Sequence, residues 1–183
     1  KKEYYGAELG AKFKVASFFD VKLIGTISEA KITNNAKLTY MESTSATLHG
    51  DYQTGDNHDR IFNKGMRDSG TPLTALSLGL SYHQNGWFID LNGNYYDRIY
   101  LSYSPNYRFE QNIKNRNIAM TKLGYPIIND ATGQVIPGAL DQAKGKGGFM
   151  LDGSIGRSIY LKKGSLSINL MVTNILNNRS IVT

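Results

Sequence analysis

From Tyr5 to Val15 the sequence alternates without a break. Tyr5, Ala7, Leu9, Ala11, Phe13 and Val15 share one parity, and Gly6, Glu8, Gly10, Lys12 and Lys14 share the other. Successive side chains of an extended chain point to opposite faces, so this segment is a strand with one apolar and one polar face. Its length is close to the roughly 9–11 residues that a tilted strand needs to cross a bilayer. The pattern recurs. Leu76, Leu78, Leu80 and Tyr82 alternate with small and polar residues, as do Trp87, Ile89, Leu91, Gly93 and Tyr95. Phe149, Leu151, Gly153 and Ile155 repeat it, then Leu166, Ile168, Leu170 and Val172. Val21, Leu23, Gly25 and Ile27 form a weaker example, because Ile24 interrupts the polar parity. The template predicts about six strands.

The connections between these segments are of two kinds. Ala16 to Asp20, His83-Gln84-Asn85-Gly86 and Lys162-Lys163-Gly164 are short, and the Asn-Gly pair is a strong hairpin signal. The stretches from about Thr33 to Thr71 and from about Ser104 to Gly147 are long and polar. Short and long alternate along the chain. Compact soluble domains rarely carry structureless loops longer than about 15 residues. Outer-membrane barrels instead pair short periplasmic turns with long extracellular loops. Phe18, Phe19, Tyr82, Trp87, Phe88 and Tyr160 cluster near the short turns. Aromatic residues with a polar tip favour a membrane–water interface, although plain cross-strand packing also accommodates them.

Composition narrows the alternatives. No apolar run reaches the eighteen or so residues of a transmembrane helix, a test to which a β-barrel is invisible. The absence of cysteine excludes a disulfide scaffold, a thiolate zinc site and a cysteine nucleophile. The net charge of +6 comes from scattered lysines and arginines, with no arginine-rich run, so no nucleic-acid partner is expected.

A soluble sandwich also alternates apolar and polar residues. Long strands, long loops at one end only, and strongly polar second faces favour a barrel. Those faces carry Glu8, Lys12, Lys14, Asp90, Asn92, Asn94, Asp152 and Asn169, which suit a wet lumen. The expected fold is therefore all-β: an antiparallel up-and-down transmembrane β-barrel segment of about six strands with two long extracellular loops. Six is few to close, since single-chain bacterial barrels start at about eight strands. Residues 1–183 are accordingly expected to be an incomplete part of one barrel domain, with neighbouring strands to either side.

The stretch from Asn63 to Thr74 includes Gly65-Met66-Arg67-Asp68 and Gly70-Thr71-Pro72-Leu73. The stretch from Gly86 to Asp97 carries Trp87-Phe88-Ile89-Asp90-Leu91-Asn92. Both resemble the late barrel of SusC/RagA-like TonB-dependent outer-membrane receptors. The segment from Leu166 to Asn178, with its Asn174-Ile175-Leu176-Asn177-Asn178 exit, is similar to their penultimate strand. The resemblance covers nearly the whole chain, least securely in the two long loops. It implies a parent barrel of about 22 strands with an N-terminal plug. It also implies import of an oligosaccharide or peptide, energy from the TonB complex, outer-membrane lipid around the wall and, often, a surface lipoprotein lid. The plug, the TonB-contacting segment and a closing strand with a terminal aromatic are not found in these residues.

No enzyme signature is present, and no catalytic residue, metal site or cofactor is expected. His49, His58 and His83 are isolated; His49, Asp51, Asp56, His58 and Asp59 match no standard metal spacing. Gly145-Lys146-Gly147-Gly148 lacks the ending of a phosphate-binding loop, and Gly153-Ser154-Ile155-Gly156 falls short of a nucleophile elbow. The Asn178-Arg179-Ser180 triplet reads as a chance match to a glycosylation site. The substrate-binding candidates are Asp90, Asn92, Asn94, Tyr96, Arg98, Tyr100, Tyr103 and Tyr107, on a strand and the loop that follows it. Tyrosine faces stack on sugars or peptides, and an arginine holds a carboxylate. The same tyrosines equally suit an aromatic girdle with cross-strand pairs. Asp97 and Arg98 should point to opposite faces, so one of them lies at a rim or the strand bulges there. Two other readings compete with import: a soluble antiparallel sheet whose long loops recognise a partner, and an outer-membrane enzyme of the protease or acyltransferase kind.

Overall fold

The computed structural model describes residues 1–39 and 58–180. In chain order the strands are β1 (Lys2–Ala16), β2 (Phe19–Ile32), β3 (Ala36–Thr39), β4 (His58–Ile61), β5 (Thr74–Gln84), β6 (Trp87–Asp97), β7 (Ile128–Asn129), β8 (Gln134–Val135), β9 (Gly148–Leu161) and β10 (Gly164–Val172). Among the described residues one α-helix, α1 (Glu110–Lys122), lies between β6 and β7. The chain divides into two compact units. One holds Tyr4–Ala30, Ser69–Leu101 and Lys144–Thr183; the other holds Lys1–Glu3, Lys31–Asp68 and Ser102–Ala143.

The first unit is built on a six-stranded sheet in the order β1-β2-β5-β6-β9-β10, with antiparallel pairing in every register that is described. All six strands coincide with the alternating segments of the sequence. The sheet is open rather than closed into a barrel, with β1 and β10 as its outer strands. Tight turns join β5 to β6 and β9 to β10. At the first, Asn85 and Gly86 both have positive φ, 52° and 78°. That is the backbone of a two-residue turn whose twist matches the flanking strands, which is why Asn-Gly occurs there.

The register aligns the apolar parities of neighbouring strands. Leu23 faces Leu78, Leu78 faces Gly93, and Gly93 faces Leu151. One row further, Val21, Leu80, Leu91, Gly153 and Val172 stand side by side. Directly paired residues project to the same face, so one face of the sheet is apolar across strands β2 to β10. On β1 the Lys12 ammonium pairs with Asp20 on the other face, which places Leu9, Phe13 and Val15 on the apolar one.

In the second unit the two long connections carry short regular elements of their own. β3 pairs with β4 and β7 with β8, and α1 runs for 13 residues. Only Ile113 of the helix is buried. Three asparagines and four charged residues among its thirteen hide it from a search for apolar period. Its N-terminus is capped from a distance. Asp59 on β4 accepts a hydrogen bond from the Glu110 amide at 3.1 Å, filling a helix-start donor that the local residue, Phe109, leaves open.

Candidate functional site

The polar face of the sheet carries most of the residues singled out from sequence. Asp90, Asn92, Asn94 and Tyr96 alternate along β6, and the register places Asp152 opposite Asn92. Asn169 stands opposite Gly156 on the same face. Glu8 and Lys14 share the parity of Lys12, which the Asp20 ion pair fixes at 3.2 Å. These side chains bond across strands. Ser81 Oγ donates to one oxygen of Asp90 at 2.6 Å, and Ser154 Oγ to the other at 3.4 Å. Asn94 Nδ2 donates to Asp152 at 3.3 Å, while the Asn174 backbone N–H donates to its second oxygen at 2.7 Å. The carboxylates of Asp90 and Asp152 are therefore acceptors in a polar ladder. Asp20 Oδ1 is buried without a hydrogen-bond partner among the described residues.

The opposite face is exposed. Leu9 is 63% exposed, Leu78 46%, Leu91 37% and Ile168 61%. Leaving rows of large aliphatic side chains in water is unfavourable by about 25 cal/mol per Å². Contiguous apolar patches larger than a few hundred Å² mark membrane or protein contacts.

Where β6 ends, Asp97 and Arg98 separate. The strand stops at Asp97, whose carboxylate pairs with Lys144 at 3.1 Å. Arg98 turns into the left-handed region at φ 57°. Its guanidinium already holds a carboxylate, that of Glu29, and donates to the Ser28 carbonyl at 2.9 Å. Tyr100 follows, bridged to Lys144.

Tyr103 and Tyr107 belong to the second unit, apart from Tyr96, Arg98 and Tyr100. There Arg108 lies 5.1 Å from the centre of the Tyr103 ring, and Arg116 lies 5.9 Å from that of Tyr107. Together with Asp141 these residues line an open cavity of about 470 Å³. Arg108 is buried, and its guanidinium donates to the carbonyls of Phe62 at 3.0 Å and Leu140 at 2.6 Å. Burial pulls its pKa below the ordinary arginine value, while Tyr103 and Asp141 pull the other way. Arg108 therefore ties loop segments together, and Arg116 is the exposed cation of the cavity. Neither arginine was singled out from sequence, although the Tyr107-Arg108 pair was a visible signal.

Among the described residues no group of three His, Asp or Glu side chains is placed to hold a metal. His49, Asp51, Asp56 and the His58 side chain lie outside the described residues, while Asp59 caps α1 as described above. Among the described residues no helix is long and apolar enough to cross a membrane. No protein-family model, curated protein or solved structure matches the chain.

Proposed function

We propose that this chain forms part of the wall of an outer-membrane β-barrel. On the resemblance described above, it is a late portion of a SusC/RagA-like, TonB-dependent importer of an oligosaccharide or peptide. The observation that carries the reading is the in-register sorting of the sheet into an exposed apolar face and a hydrogen-bonded polar one. Lipid on one side and a wet lumen on the other satisfy both.

Two dimensions support it. The apolar band on β6 runs from Trp87 to Tyr95, and Phe149 stands beside Tyr95. That is about 27 Å along the strand. Tilted by about 40°, it spans roughly 20 Å, against an apolar band of about 25 Å in such barrels. The short turns are also staggered. The His83 amide bonds to the Phe18 carbonyl, which places the first turn two residues short of Asn85. The Ser158 amide bonds to the Gly86 carbonyl, which places the second turn four residues short of Lys162. With strands about 4.8 Å apart, successive short turns lie two strand spacings apart, so these staggers correspond to tilts of about 35° and 55°, about 45° on average. Barrel strands tilt by about 35–45°. The edges of β1 and β10 would pair with the rest of the barrel, because unpaired backbone in lipid is costly.

The test uses thiols, since the chain has no cysteine of its own. Single spin labels at Leu78→Cys, Leu91→Cys and Ile168→Cys should collide preferentially with oxygen dissolved in lipid. Labels at Asn92→Cys, Asp152→Cys and Asn169→Cys should collide preferentially with a water-soluble nickel chelate. A monodisperse protein without detergent or lipid, with the first three sites sheltered from both reagents, would overturn the reading in favour of a soluble module.

A further inference from the structure

Among the described residues, the short-turn end of the apolar face carries one cation, Arg157. Arg157 stands in the row that joins Gln84, Trp87 and Ile168 across four strands, with Ile155 and Ile159 as same-face neighbours on β9. The other charged residues of that parity, such as Glu29 and Asp97, lie at the opposite ends of their strands. A guanidinium on such a face is costly unless it finds an anion or reaches water. Arg157 makes no salt bridge among the described residues. Its guanidinium lies over the Trp87 ring, 4.9 Å from the centroid. Trp87 is the first residue after the Asn85-Gly86 turn and stands directly opposite Arg157 in the register, so the contact lies beside the rim of β6.

We infer that Arg157, held against Trp87, binds the headgroup phosphate of an anionic phospholipid. The inference rests on the lipid-facing assignment of this face. A long cationic side chain snorkels from apolar surroundings to the interface, and tryptophan settles at the same level. The indole contact fixes the guanidinium without using its N–H fork, which remains free for paired bonds to phosphate oxygens. Lys162 and Lys163, in the turn at the end of the same strand, add positive charge at this end of the sheet. None of them pairs with a carboxylate among the described residues.

Trp87 is the chain's only tryptophan, so its emission reports this position alone. The experiment places the protein in phosphatidylcholine nanodiscs doped at equal mole fraction with either brominated phosphatidylglycerol or brominated phosphatidylcholine. The anionic lipid should quench Trp87 about fivefold more effectively, the selectivity that one cation near a lipid surface supplies. Arg157→Gln should bring the two lipids to parity, and Arg157→Lys should keep most of the preference. Equal quenching by both lipids in the unmodified protein, or a preference that survives Arg157→Gln, overturns the phosphate site and leaves the barrel reading standing. Quenching by neither lipid overturns both.

Discussion

Arg98 and Glu29 meet at the end of the sheet where the long connections leave it. The backbone beside them is continuous: the Ser28 amide bonds to the Leu73 carbonyl at 2.8 Å, and the Leu73 amide to the Arg98 carbonyl at 3.3 Å. The Arg98 guanidinium then reaches Glu29 and the Ser28 carbonyl. One side chain thus joins the ends of β2 and β6, which flank β5, and it does so from a left-handed backbone that a non-glycine residue adopts at a cost.

Arg98→Ala should therefore loosen three strands together. Both partners are partly buried, and the loss of a charge-assisted pair leaves the Glu29 carboxylate without its guanidinium. A cost of about 2 kcal/mol is expected, read as a lowered denaturation midpoint in lipid. Arg98→Lys should recover less than half of it, because an ammonium lacks the planar fork that serves two acceptors.

The two faces of β6 should respond oppositely to the same new charge. Leu91→Arg puts a guanidinium in the middle of the apolar band and should cost about 2–4 kcal/mol in a bilayer. Asn92→Arg, one residue on and facing the other way, should stay within about 0.5 kcal/mol. Unfolding titrations of the two variants in lipid vesicles compare them directly. Equal costs would mean that both faces meet the same environment.

Gly156 is a position where a side chain has no room. A Cβ there would fall 2.2 Å from the Phe88 ring, its direct partner in the register, and 2.7 Å from the Ile168 carbonyl oxygen. Gly156→Ala should cost about 1–3 kcal/mol by overpacking. Adding Phe88→Ala should recover part of that cost, so the two changes are non-additive. A double-mutant cycle on unfolding free energies measures the coupling.

Acid should weaken the start of α1. Burial pushes the Glu110 carboxyl up, but the Lys114 hydrogen bond and the Arg60 guanidinium outweigh it and hold the group below its ordinary value of 4.5. Lys114 lies 3.0 Å away, as does Arg60. A carboxylate with a depressed folded pKa contributes stability above its unfolded pKa and loses it as pH falls through the folded one. Amide protection factors across α1 should accordingly drop below about pH 4.5, and Glu110→Gln should remove this part of the pH dependence. A helix whose protection is flat through that range in the unmodified protein would contradict the assignment.

Much of the sheet was legible beforehand because its signal is local. Alternation needs only the residue and its two neighbours, and an Asn-Gly pair carries its own backbone preference. The alternating segments thus mark all six long strands, although β9 runs on to Leu161, past the Ile155-Gly156 end of its clear pattern, where pairing with β10 extends it. The Asp97-Arg98 neighbours posed a choice between rim and bulge that a left-handed turn at the strand end settles. In the loops local signals fail. Tyr103 and Tyr107 were visible as aromatic residues, but Arg108 and Arg116 gain their roles only from where the chain folds back.

By itself the sequence determined which segments form the six long strands, which side chains share a face within each, and which turns are tight, since all three follow from short-range backbone geometry. The tertiary structure alone decided that the apolar parities line up from strand to strand, because register is a relation between residues far apart in the chain. It alone decided that Arg98 finds Glu29, that Asp59 caps α1, and that Arg157 rests on Trp87. Each of these depends on a partner between 51 and 70 residues away, a distance across which no local pattern carries information.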